Sequence, residues 1–185
     1  QVIHTERIVQ VTPAPAGKKP TWGGFMPKFL GFEVCQQIQK LLASDESLSY
    51  LDESATKGLV DLRADLGRLL RGPGPAVQQT NDGYALWWNY AGGRINHTLK
   101  YALEVSQGWK VVADNFFLKI AGDGVSHSSI EQALRELSSE VFWSAERVRS
   151  IRGRIPPYRL SKFQDALPDA ALGEMLGDVF VDVDG

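Results

Sequence analysis

Residues 80–107, TNDGYALWWNYAGGRINHTLKYALEVSQ, restrict the fold more than any other stretch of the chain. Asn81-Asp82-Gly83 is a turn signal, because Gly83 takes positive φ without steric cost. An aromatic run with strand composition follows at 84–91. Gly92-Gly93 breaks it, and Arg94-Ile95-Asn96 leads into a helix whose Ile95, Leu99, Ala102 and Leu103 share one face. Strand, glycine pair and helix start together form a platform from which backbone N–H groups point outward. Such a platform can receive an anion, since the first N–H groups of a helix lack internal partners and lie at the positive end of its dipole. A tight structural turn, with Asn96 as the helix cap, accounts for the same residues. Trp87 and Trp88 are strand neighbours and must face opposite sides, so at least one belongs to the core.

The 185 residues, 43% of them hydrophobic, suit one compact domain over 1–185 or two small units. A formal charge of −2 excludes a uniformly basic nucleic-acid binder but allows a local basic face. Cys35 is the only cysteine, which excludes an intrachain disulfide and a cysteine-based zinc site. That usage fits a reducing, intracellular setting, and a cytoplasmic location is expected. No apolar run has the length of a membrane span, so no membrane partner is expected. The chain starts at Gln1 without an initiator Met and reads as a piece of a longer protein.

In chain order, 6–12 reads as a strand, 32–43 as a helix, and 52–71 as a second helix with an acidic start at Asp52-Glu53. Gly58 and Gly67 weaken that second helix. The Arg71-Gly72-Pro73-Gly74-Pro75 break is the strongest punctuation, and a subdomain joint is expected at 71–76. Residues 109–121 form one bent strand or two short ones split at Asp114-Asn115. Ser128-Ser129-Ile130-Glu131 has the spacing of a capping box, opening a helix with Ile130, Ala133, Leu134, Leu137 and Val141 on one face. A further helical stretch reaches about Arg152, and Pro156-Pro157 ends it. The expected class is α+β, a small, mainly antiparallel sheet packed with about four amphipathic helices.

Charge is unevenly distributed. Residues 147–162 hold six bases and no acid, whereas 165–184 hold six acids and no base. Arg152, Arg154 and Tyr158 lie in the basic block, where guanidinium groups alternate with aromatic faces as in single-strand binders. A solvated helix end paired with the acidic tail explains the same pattern. Catalytic signals are sparse. Gly17-Lys18-Lys19 lacks the upstream glycine and the Ser/Thr of a phosphate loop, and His4, His97 and His127 fall at no metal-binding spacing. Ser126-His127-Ser128 sets hydroxyls beside an imidazole, but triad members meet in space and seldom in sequence.

Three tracts together carry a resemblance. They are Val9-Gln10-Val11-Thr12-Pro13-Ala14-Pro15 running on to Trp22-Gly23-Gly24, Tyr50-Leu51-Asp52-Glu53-Ser54-Ala55 with Leu62-Arg63, and Trp87-Trp88-Asn89-Tyr90-Ala91-Gly92-Gly93-Arg94-Ile95-Asn96-His97-Thr98-Leu99. In this order and spacing the chain resembles the region after the winged helix in Lhr-type (large helicase-related) DEAD/DEAH superfamily 2 helicases. The resemblance implies a non-catalytic accessory domain that supports the motor and lines a single-stranded DNA or RNA path. The winged helix and two RecA-like lobes would lie upstream. ATP and Mg would belong to those lobes, with no cofactor, metal or catalytic residue in this fragment. Within the matched motif Arg94 and Asn96 are the expected nucleic-acid contacts, with Trp22 and Trp88 as stacking residues. A protein-docking module without nucleic-acid contact is the rival reading. A small stand-alone enzyme has the least support.

Overall fold

A computed structural model describes residues 3–5, 8–10, 28–158, 160 and 164–183. Two short strands, β1 (Ile3–Thr5) and β2 (Ile8–Gln10), form an antiparallel pair. The central sheet contains β3 (Val77–Gln79), β4 (Ala85–Trp88), β5 (Lys110–Ala113) and β6 (Phe117–Ala121) in the order β3-β4-β6-β5, every pairing antiparallel. Six helices accompany it: α1 (Phe32–Ala43), α2 (Glu53–Arg71), α3 (Gly93–Ser106), α4 (His127–Leu137), α5 (Ala145–Arg152) and α6 (Asp169–Phe180). The class is α+β.

Side chains alternate across the pleat, so each strand serves two faces. Ala85 and Trp87 of β4, Leu118 and Ile120 of β6 and Val111 of β5 enter the main core. There they meet Tyr101, Ala102 and Leu103 of α3, Ile130 and Ala133 of α4, Ile151 of α5 and Phe180 of α6. Trp88, Tyr90 and Phe116 instead join a smaller core with Cys35, Leu42 and Leu70 of the α1–α2 hairpin. Trp87 is thus the core member of the tryptophan pair, at 8% exposure.

Both N-terminal helices fall where their periodicity places them, and Asp52 caps α2 by accepting from Ala55 N at 2.7 Å. Residues 109–121 are two strands joined at Asp114-Asn115. Other boundaries differ. The box that opens α4 is Ser126 with Ser129, two residues before the expected pair, and each side chain bonds the other's backbone N–H. Val141 is 85% exposed in a 3-10 turn, and its neighbour Phe142 fills the core position instead. β3 and α6 were not expected. Of the strand expected at 6–12, only Ile8–Gln10 falls among the described residues.

Gly67 does more than weaken α2. A Cβ at this position would lie 3.3 Å from the Leu42 carbonyl oxygen, so the missing side chain lets the two helices approach. Arg63 then closes the hairpin. Its guanidinium donates to the Leu41 carbonyl from Nε and Nη2, to the Glu46 carbonyl from Nη1, and to Ser44 Oγ. These bonds satisfy acceptors that the end of α1 leaves open. Arg63→Ala should cost about 1.5–3 kcal/mol, the range for charge-assisted bonds, and Lys should recover little of it because it lacks the planar fork. Denaturant melts of the three proteins measure this.

Candidate nucleic-acid interface

β4 ends before the aromatic run does. Asn89 N and Tyr90 N both donate to the Phe116 carbonyl, at 3.1 and 2.9 Å, so two residues face one in the manner of a β-bulge. Tyr90 adopts φ 51°, and Gln36 of α1 holds its carbonyl at 2.9 Å. The chain thereby turns into Gly92, at φ 85°. A Cβ on Gly92 would stand 2.6 Å from the Leu30 carbonyl oxygen, and one on Gly93 would run into the Phe29 ring. Gly92 N donates to the Asn115 carbonyl at 3.0 Å and Gly93 N to the Leu30 carbonyl at 3.2 Å. Asn115 in turn bonds Leu30 N and the Lys28 carbonyl. Residues 28–30 therefore pack over the glycine pair, and two of the N–H groups around it already have protein acceptors.

Asn96 is not the cap. The capping position belongs to Gly92, which offers no side chain, and Asn96 lies one turn inside α3 with no exposure. Its Nδ2 donates to the Asp114 carbonyl at 2.7 Å, and its Oδ1 accepts from Asn89 at 2.6 Å. One amide thus ties the exit of β4 to the β5–β6 turn. Beside it, the His97 Nδ1–H donates to the Gly93 carbonyl at 2.9 Å. The ring sits 4.9 Å from that of Phe29 and 5.9 Å from that of Phe180. Burial pushes the imidazole pKa down, and Lys100 adds to this, while the bond to Gly93 and the charge of Asp114 oppose it.

Three candidate residues meet at the end of α6. Arg94, 47% exposed, donates from Nε and Nη2 to the Val181 carbonyl at 3.2 and 3.0 Å. Its Nη2 also stands 3.6 Å from the Asp182 carboxylate. Arg152 lies along Gly177, with Nη2 3.9 Å from Asp178. Tyr158 stacks on Phe180 at 4.5 Å and 13°. Trp88 is elsewhere, on the hairpin side of the sheet between Tyr90 and Phe117, donating to Gln78 at 3.4 Å. Arg154 is exposed after α5, as are Arg147 and Arg149 within it, and none of the three has a carboxylate partner among the described residues. The Arg147 guanidinium rests over the Phe142 ring at 4.5 Å. Trp22 lies outside the described residues, as do Arg159 and Lys162.

Sequence reasoning overlooked α6 as the element that gathers these side chains. Its signal was present, since Leu172, Leu176, Val179 and Phe180 follow helical offsets, but residues 165–184 were read only for their acidic charge. Among the described residues no group of three or more His, Cys, Asp or Glu side chains could hold a metal ion. No helix there is long and apolar enough to cross a membrane. Comparison with protein-family models, curated proteins and solved structures returned no match.

Two outcomes follow from this geometry. Asn96→Ala should lower stability by about 1–3 kcal/mol, because it removes two part-buried hydrogen bonds at roughly 0.5–1.5 kcal/mol each, while Arg94→Ala, at a half-exposed side chain, should cost about 1 kcal/mol. Urea melts compare the two. His97, with its pKa lowered in the fold, leaves stability intact above its unfolded value of about 6.5. As pH falls below that value the unfolded chain binds the proton first, and stability declines until the native imidazole is also protonated. His97→Asn should flatten this decline in melts taken between about pH 7 and 5. An unchanged decline would move its origin to other groups.

Proposed function

We propose that this chain is a non-catalytic accessory domain that holds a single nucleic-acid strand against the arginines around α5. The parent would be an Lhr-type superfamily 2 helicase whose upstream lobes supply ATP hydrolysis. The observation that carries the reading is the exposure of Arg147, Arg149 and Arg154 without a carboxylate partner among the described residues. Exposed guanidinium groups near a phosphate chain bind through charge and counterion release, which requires no enclosed pocket. The sequence likeness at the glycine turn supports the parent assignment. In this reading Asn96 and Trp88 serve as scaffold that keeps β4, α3 and the hairpin in place.

A protein-docking module is the second reading, favoured by one set of observations. Arg94 and Arg152 pair within the molecule, and the α1–α2 hairpin leaves Phe32 at 46%, Val34 at 53%, Val60 at 57% and Leu62 at 50% exposure. Titration with a single-stranded oligonucleotide separates the two. If about three arginines meet phosphates, the log–log salt slope should be near −2, each contact contributing roughly −0.7. Arg149→Glu with Arg154→Glu should weaken binding and flatten that slope. Affinity untouched by the double reversal would favour docking.

A further inference from the structure

We propose that Asp178 and Asp182 are internal stand-ins for phosphate, which occupy Arg94 and Arg152 and gate their access to a nucleic-acid strand. This gate rests on the strand-binding reading above. Both side chains are part-exposed, at 47% and 35%, although the Arg152 Nε is itself buried without a hydrogen-bond partner among the described residues. Each faces one α6-end carboxylate, at 3.6 and 3.9 Å. A direct charge-assisted bond is shorter, about 2.7–2.9 Å, so these pairs are loose. The backbone beneath them is not. Phe180 and Val181 are buried, and Asp182 N donates to Thr98 Oγ1 at 2.7 Å, a hydroxyl that itself bonds the Arg94 carbonyl at 3.0 Å.

The Asp178 carboxylate can therefore leave by side-chain rotation alone, with α6 in place, while Asp182, at 29% exposure, is the more enclosed of the two. Asp178 is 76% exposed and has solvent to turn into. A phosphodiester approaching from that side offers the same charge with oxygens free to reach a donor. Exchange trades one anion for another at each arginine, with Arg94 keeping its bonds to the Val181 carbonyl, and needs no unfolding. Two further acids of α6, Asp169 and Glu174, are exposed and meet no base among the described residues. They provide a control of equal charge.

The test measures the anisotropy of a fluorescein-labelled oligothymidylate against the whole chain across a salt series. Asp178→Asn/Asp182→Asn should bind roughly threefold to thirtyfold tighter, the range for releasing two surface pairs. Its salt slope should steepen by about 1.4, from two added contacts at roughly 0.7 each. Adding Arg94→Ala and Arg152→Ala to that variant should return affinity to the starting value. Asp169→Asn/Glu174→Gln should stay within about twofold of the unaltered chain, since acids that pair with no arginine among the described residues act only through the screened field. Should the double Asn variant fold poorly, Asp178→Asn alone, at an exposed site, should show part of the gain. An equal gain from the control pair would overturn the gate. Binding by the unaltered chain with no gain on neutralising Asp178 and Asp182 would overturn the gate and leave the strand-binding reading standing. Absence of binding by every variant would remove both.

Discussion

The amide of Asn96 is fully enclosed, and it bonds the exit of β4 on one side and the β5–β6 turn on the other. Those bonds fix the distance between two sheet connections and the first turn of α3. Burial of a polar group is tolerable only when its hydrogen bonds are made, so the surroundings of Asn96 have little freedom to rearrange. The bulge at Asn89 and Tyr90 brings one partner into place, and the glycine pair lets residues 28–30 close over the top. Removing any of these would leave a donor or acceptor stranded in the interior.

From that fixed point the charges are distributed by packing. A net charge of −2 conceals a basic helix and an acidic one, both packed on α3. The stacking of Tyr158 on Phe180 brings the two segments together through apolar contact. One ion pair joins them at the edge of that contact, Arg152 to Asp178 at 3.9 Å. Ion pairs so exposed contribute about 0–1 kcal/mol, too little to assemble the segments. Apolar burial of Phe180, Val181 and Ile151 does that.

Where periodicity and punctuation agree, the fold was legible in the sequence. Helices α1 and α2 show this, bounded by glycine, serine and aspartate signals within a residue of their observed ends. Misreadings arose where a tertiary partner decided the outcome. The strand expected to reach residue 91 stops at Trp88 because a carbonyl of β6's turn accepts from two successive N–H groups, which no local pattern announces. The capping box slipped because 126–129 and 128–131 both begin with serine and end with a residue able to reach back. Asn96 looked like a cap because capping is what asparagine does near a helix start when seen alone. Its real partners are 7 and 18 residues away, beyond the reach of a local motif.

The same distinction separates the glycine turn from the arginines around α5. An anion site at a helix start needs N–H groups that nothing else has claimed. Here Gly92 N and Gly93 N end on the Asn115 and Leu30 carbonyls, and Phe29 fills the space that Gly93 leaves. A phosphate bound to these two groups would have to displace packed backbone. Around α5 the side chains of Arg147, Arg149 and Arg154 are exposed. Desolvating an exposed arginine costs far less than reopening a hydrogen-bonded junction, which is why the proposed strand contact is assigned to the exposed guanidinium groups. Arg94 lies between the two regimes: its backbone belongs to the junction, while nearly half of its side chain remains in solvent.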